Sequence, residues 1–163
     1  MKKVLFTAAL FFTACAVSAQ ESVVKEAKSA KSDPAKAATI LEPALVDPST
    51  ANDPETWKLA GDLQKSIYDD ENMKLYLPGG QADTTKLYNS LAKMFEYYMK
   101  CDEVEQAKVK SGELKKPKLR KKLAKSLATV RPQLTNAGSD AFNKGNYACL
   151  LYTSPSPRDR TRS

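Results

Sequence analysis

Residues 84–101, TTKLYNSLAKMFEYYMKC, decide the fold class of this sequence. Their apolar side chains recur at every third or fourth position: Leu87, Leu91, Met94, Phe95 and Tyr98. That spacing places them on one side of an α-helix and leaves polar side chains on the other. The pattern predicts an amphipathic helix from Thr84 to about Cys101, or as far as Glu105.

Three further helices are predicted before this one. The first covers residues 22–30. The other two begin at Asp33-Pro34 and at Asp53-Pro54, because an Asp side chain caps the free amides of a helix start and a proline suits its first turn. A fifth helix is predicted from apolar residues at helical spacing near the end of the chain: Leu119, Leu123, Leu127 and Val130.

Two prolines lie inside these helical patterns. Pro43 is expected to kink or shorten the second helix, because a proline ring lacks an N–H and clashes with the preceding turn. Pro132 either kinks the fifth helix or begins the next one. Residues 69–83 contain Pro78, Gly79 and Gly80 and are predicted to be a long surface loop. The alternating patterns of β-strands are missing, so we expect an all-α protein.

The chain begins with the layout of a secretory signal peptide. Lys2 and Lys3 precede an apolar stretch, and small residues follow at Val17 and Ala19, which predicts cleavage after residue 19. An apolar stretch of this length falls short of the roughly 20 residues of a membrane-spanning helix. The mature protein is expected to be exported and to be periplasmic or associated with the outer membrane. In an alternative interpretation Cys15 ends a lipobox and becomes a lipidated N-terminus.

Residues 149–163 are set apart from the rest. The stretch CLLYTSPSPRD at positions 149–159 resembles the translation of an adapter used in sequencing libraries. We interpret 149–163 as a non-native artefact tail and 20–148 as the native region, which the tail interrupts at its C-terminus. The alternative is a natural disordered tail rich in Ser, Pro and Arg.

Both ends contribute to the formal net charge of +7. Without the leader lysines and the arginines of the tail, the native region has only a small excess of positive charge. Overall basicity therefore gives no argument for a nucleic-acid partner, and none is expected. Among the cysteines, Cys101 alone belongs to the native region, so no internal disulfide is expected there.

The last native segment, residues 134–148, reads LTNAGSDAFNKGNYA. It resembles the tetratricopeptide repeat, a helix-turn-helix unit of about 34 residues. The matching positions are Leu134, Ala137, Gly138, Gly145 and Tyr147. In such a unit Gly138 allows two helices to approach closely, Gly145 allows the tight turn between them, and Tyr147 packs back on the first helix.

Two earlier stretches support this resemblance. Trp57, Ala60 and Gly61 repeat the opening spacing of the motif, and Ala37 with Ala44 looks like the second helix of a preceding repeat. The resemblance covers residues 22–64 and 134–148. Between them the register departs from the family, because the separation of Gly61 and Gly138 is not a whole number of periods. The aromatic residues Trp57, Phe95, Tyr98 and Tyr147 are expected to be core residues.

The resemblance implies antiparallel helix pairs stacked as a short, irregular α-solenoid whose groove holds a peptide or protein segment. The implied function is a non-enzymatic scaffold for protein interactions in the bacterial cell envelope. An irregular helical bundle with coincidental Ala and Gly spacings is the alternative fold.

The residues that carry chemistry are few. The chain has no histidine, which excludes catalytic Ser-His and Cys-His pairs and most kinds of zinc site. Cys101 is expected to be a buried structural thiol rather than a nucleophile. Asp69, Asp70 and Glu71 are expected to form a solvated acidic loop rather than a calcium site. No catalytic residue, cofactor or metal is predicted, and an enzyme that uses carboxylates or Cys101 is the least favoured class.

A basic segment, Lys115–Lys125, is the densest charged feature. Its cations are Lys115, Lys116, Lys118, Arg120, Lys121, Lys122 and Lys125. They are interpreted first as the solvated face of the helix that contains Leu119 and Leu123. The alternative function is binding of an anionic surface, lipid or polyanion, through these residues, with peripheral association to a membrane.

Overall fold

The computed structural model describes residues 20–143, which form six helices and no strands. This confirms the all-α prediction for that part of the chain. The helices are α1 over 20–29, α2 Pro34–Val46, α3 Pro48–Ala51, α4 Pro54–Lys74, α5 Thr84–Lys110 and α6 Arg120–Asn143. None of them has the length and apolar character required to cross a bilayer. The leader with Cys15, the motif residues Gly145 and Tyr147, and the tail lie outside the described residues.

Three helices begin at an Asp-Pro pair. The side chains of Asp33, Asp47 and Asp53 accept hydrogen bonds from backbone amides two or three residues later, at distances of 2.8 to 3.1 Å. Each cap is followed by a proline in the first turn. The predicted starts of α2 and α4 are therefore confirmed, and the short helix α3 is a third start of the same kind that the sequence interpretation missed.

Neither internal proline ends a helix. The α2 helix passes through Pro43 and continues to Val46, so it is not shortened. The α6 helix passes through Pro132 and continues to Asn143, so Pro132 does not begin a new helix. Apolar contacts hold α6 on both sides of Pro132, because Val130 is buried and Leu134 packs against the same core. Tertiary packing here outweighs the local cost of a proline.

The predicted loop over residues 69–83 is only partly a loop. The α4 helix continues through Asp69, Asp70 and Glu71 to Lys74, and the irregular segment covers 75–83. The expectation of a solvated acidic loop is therefore wrong at Glu71, whose side chain is buried in the last turns of α4. A buried carboxylate that accepts several hydrogen bonds stabilises these turns.

The α4 and α5 helices pack side by side in opposite directions. Three contacts show this, because they pair later residues of α5 with earlier residues of α4. The Cys101 thiol donates to the carbonyl oxygen of Pro54 at 3.1 Å, and the Tyr98 hydroxyl donates to Asp62 at 2.8 Å. The ammonium group of Lys86 lies 3.1 Å from the carboxylate of Glu71. Between them the ring of Tyr98 lies directly over Gly61, where a Cβ atom would overlap the ring. The absence of a side chain at Gly61 therefore sets the spacing of these two helices.

Two hydrophobic clusters lie along the stack. The N-terminal cluster joins α1, α2 and α4 through Ala27, Ala37, Leu41, Ala44, Leu59, Ala60 and Leu63. The central cluster joins α4, α5 and α6 through Tyr68, Leu87, Leu91, Met94, Tyr98, Cys101, Leu119, Leu123 and Val130. The long helices thus pack on their neighbours in sequence order.

The helix pair α4–α5 is longer than a tetratricopeptide unit. The α4 helix has 21 residues and α5 has 27, whereas the family places both helices and their turns within about 34 residues. The residues between Gly61 and Gly138 that exceed whole repeat lengths therefore lie in longer helices as well as in the connecting loops.

We expect Gly61→Ala to lower the free energy of unfolding by about 1–3 kcal/mol, because the new methyl group overlaps the Tyr98 ring. Urea unfolding followed by circular dichroism measures this. Ala usually favours a helix over Gly by roughly 0.5–1 kcal/mol, so the sign of the change is diagnostic. Ser66→Ala, at an exposed position of the same helix, is the control and should be nearly neutral. A stabilised Gly61→Ala variant would contradict the close approach.

Candidate binding groove

A concave groove runs between α2 and α5, with α4 as its floor. The end of the groove nearest the start of α5 is a cavity of about 670 Å³. Small side chains such as Ala35 and Ala38 form the α2 wall, Gln64 and Ile67 form the floor, and Asn89 lies on the α5 wall. Because Ala35 and Ala38 are small, a bound segment can approach the α2 wall closely, whereas long charged side chains line the α5 wall.

A second cavity of about 820 Å³ continues along the same face of α5. It is lined by Lys100, Glu103 and Ala107 of α5, and by Leu45 and Trp57 from the other helices. The α5 residues that line the two cavities recur at helical spacing: Lys86, Asn89, Lys93, Glu96, Lys100, Glu103 and Ala107. One stripe of α5 therefore forms a single groove wall along most of the helix.

An aromatic pair includes Trp57, which lines the second cavity. The rings of Trp57 and Tyr97 have their centroids 6.0 Å apart at an interplanar angle of 51°. The indole N–H of Trp57 donates to the carbonyl oxygen of Ala51 at 2.7 Å, and Tyr97 packs against the N-terminal cluster. Burial raises the pKa of Tyr97, with further contributions from Glu96 and Glu42. This pair connects the α5 wall to the α2 side of the groove.

The charges in the groove alternate along its length. Lys86 and Lys93 lie at the end nearest the start of α5, and Glu42 and Glu96 lie further along. Beyond them Lys100 pairs with Glu103 at 3.0 Å. A bound segment with the complementary order of charges would therefore be held in one register and one direction.

An apolar loop, residues 73–77, lies beyond the Lys86 end of the groove. Met73, Leu75, Tyr76 and Leu77 are each more than half exposed. Met73 belongs to the last turn of α4, and the other three large apolar side chains lie in the irregular segment that precedes the groove residue Asp83. Exposed apolar side chains in one short segment are typical of surfaces that contact a partner.

Glu71 connects this loop to the groove through the contacts of its side chain. Its buried carboxylate accepts from Lys74 at 2.9 Å and from the backbone N–H of Asp83 at 3.1 Å, and it lies 3.1 Å from the ammonium group of Lys86. These hydrogen bonds, that of Lys74 first, lower the pKa of Glu71 to about 2. The carboxylate thus closes the 75–83 segment and fixes the start of α5.

Because the pKa of Glu71 is lower in the folded protein than in the unfolded chain, its contribution to stability is complete above about pH 5 and is lost as the pH falls towards 2. We expect Glu71→Gln to reduce the free energy of unfolding at pH 7 and to flatten its decline between pH 5 and 2. Urea unfolding at a series of pH values measures this, with the exposed Glu103→Gln as control. An unchanged pH profile would contradict the role of Glu71.

The predicted repeat-motif residues are divided among several sites. Ala37, Ala44 and Ala60 meet in the N-terminal cluster, and Gly61 lies against Tyr98 of the central cluster. Leu134 packs on the central cluster, and Gly138 is buried on α6. Ala137 lies on α6, within a helix that continues to Asn143. The contacts of Ala37, Ala44, Ala60, Gly61 and Leu134 are thus with neighbouring helices, and none of these five lines the groove.

The expected aromatic core residues differ in burial. Tyr98 is fully buried, and burial with its hydrogen bond to Asp62 raises its pKa. Trp57 and Phe95 are half-buried and pack against the central cluster. Trp57 therefore has a second role that its motif position did not indicate, because it also lines the groove.

The basic segment is a solvent-exposed surface. All seven of its cations are exposed, while Leu119 and Leu123 between them are buried. The buried carboxylate of Glu105 accepts from the backbone N–H groups of Lys118 at 2.7 Å and Leu119 at 2.9 Å. This contact holds the start of α6 on α5 and directs the lysines outward.

Cys101 lies in the central cluster, away from the groove. Burial, with a contribution from Glu105, raises the pKa of its thiol to about 12, so the thiol stays protonated at neutral pH. Within residues 20–143, no group of three or more His, Cys, Asp or Glu side chains is arranged to hold a metal ion.

Sequence reasoning missed the residues that organise this site. Tyr97 lies off the predicted apolar face of α5, and the polar stripe from Lys86 to Ala107 has the pattern of an ordinary solvated face. Glu71 and Glu105 are acidic residues whose burial has no signal in the sequence. No family model matches the chain, and comparisons with curated proteins and with solved structures find no match.

Proposed function

We propose that this chain is a non-enzymatic scaffold that binds a protein or peptide segment in the groove between α2 and α5. The observation that carries the proposal is the continuous α5 stripe, which forms one wall of both cavities. A groove walled by two helices over a third is suited to an elongated ligand. Binding would proceed by shape and charge complementarity without turnover.

The dimensions of the groove limit the length of the segment. From Lys86 to Ala107 the α5 wall extends roughly 30 Å at 1.5 Å per residue. An extended segment of about nine residues, or a helix of about twenty, spans that distance. The apolar loop at one end offers a further contact for large apolar side chains of the partner.

The resemblance to tetratricopeptide repeats supports this proposal. Gly61 lies at a close helix approach, as its position in the motif requires, and Ala37 and Ala44 pack where α2 meets its neighbours. On this proposal the helices stack as an irregular, solenoid-like array, with helices longer than those of the family. The signal-like leader adds the expectation of an exported protein, periplasmic or held at the outer membrane, with Cys15 lipidation as the alternative attachment.

The proposal is tested with a displayed library of random peptides selected on the purified protein. A selected peptide should lose affinity at least tenfold when Thr39→Trp or Asn89→Trp fills the groove from either wall, measured by fluorescence anisotropy. Both positions are exposed, so these variants should remain folded. Ala124→Trp, exposed on α6, is the matched control and should leave affinity unchanged. Peptides that bind all three variants equally would contradict the proposal.

A further inference from the structure

The basic segment lies at the opposite end of the molecule from the apolar loop. The α5 helix connects the two, with the apolar loop before its start and the basic segment after its end at Lys110. With 27 residues, α5 is about 40 Å long at 1.5 Å per residue. The two exposed surfaces are therefore separated along α5, whereas the second cavity of the groove, lined by Ser111 and Glu113, ends close to the basic segment.

The positive charge of this segment is largely uncompensated. Among its seven cations, Arg120 is the one with a carboxylate of the described residues nearby, at 3.6 Å from Asp102. The Glu105 carboxylate adds one negative charge at the start of α6, where it accepts from backbone N–H groups. Like charges that the fold does not neutralise repel one another and attract anions from outside the molecule.

The cations are displayed on a fixed support. Leu119 and Leu123 anchor the first turns of α6 in the central cluster, and Glu105 already occupies the amides of Lys118 and Leu119. The amides of Lys118 and Leu119 are therefore not available to an approaching anion, which meets the exposed lysine side chains. Such a surface recognises charge density.

The types of residue in the basic segment indicate which class of polyanion it binds. Residues 111–125 contain no aromatic side chain for stacking on bases, and all but one of the seven cations are lysines, which lack the planar, bidentate geometry that reads guanine or phosphate specifically. Clusters of four to eight Lys or Arg near a surface are typical of attraction to anionic lipids. We propose that the basic segment binds the surface of an anionic lipid bilayer and attaches the protein there peripherally.

The test uses vesicles of equal parts phosphatidylglycerol and phosphatidylcholine, with the full chain and co-sedimentation as the measurement. One variant carries Gln at four exposed lysines of the segment: Lys118, Lys121, Lys122 and Lys125. The matched control carries Gln at four exposed lysines of the N-terminal part: Lys25, Lys28, Lys31 and Lys36. Both variants lose the same formal charge, and circular dichroism verifies that both keep their helices.

The first variant should lose at least a hundredfold in partition coefficient, since each lysine near an anionic surface contributes roughly fivefold. The control should lose much less, binding should weaken with added salt, and pure phosphatidylcholine vesicles should not bind. Equal losses in both variants would overturn the proposal. If a duplex oligonucleotide bound through the same lysines and displaced the vesicles, the partner would be nucleic acid, and the proposal would be overturned as well. Peptide binding in the groove is unaffected by either result.

Discussion

The contact of the Tyr98 ring with Gly61 determines how α4 and α5 lie against each other. The ring fills the space that a side chain at position 61 would take, and its hydroxyl reaches Asp62. With Tyr98 turned towards α4, its neighbour Tyr97 points to the N-terminal cluster and meets Trp57. The polar stripe of α5 then faces α2 across α4. The groove is a consequence of this one close helix approach.

Two buried carboxylates fix the ends of α5. Glu71 binds the backbone N–H of Asp83 before α5 begins, and Glu105 binds those of Lys118 and Leu119 before α6 begins. Each connects the last turns of one helix to the start of the next. Burying a carboxylate is costly unless it is well hydrogen-bonded, and here the hydrogen bonds also organise loops with few apolar contacts of their own. The positions of the apolar loop and the basic segment depend on these two residues.

The proposed activities use separate parts of this arrangement. The groove lies along α5, whereas the basic segment extends from the end of that helix. A protein attached to an anionic bilayer through the basic segment would hold its apolar loop away from the surface, because that loop precedes the opposite end of α5. The cavity lined by Ser111 and Glu113 would lie near the bilayer.

The helical class and the starts of α2 and α4 follow from the sequence alone, because an Asp cap accepts hydrogen bonds from amides two or three residues away and a proline in the first turn needs no donor there. The ends of α4 and α6 do not. The extension of α4 to Lys74 depends on contacts of Glu71 with residues beyond the loop, and the passage of α6 through Pro132 depends on packing against α5. The groove could not be predicted from the sequence either, since its two walls belong to helices that α4 separates. Which polar face of α5 lines a cavity depends on the tertiary structure, because side chains distant in sequence form the other wall of that cavity.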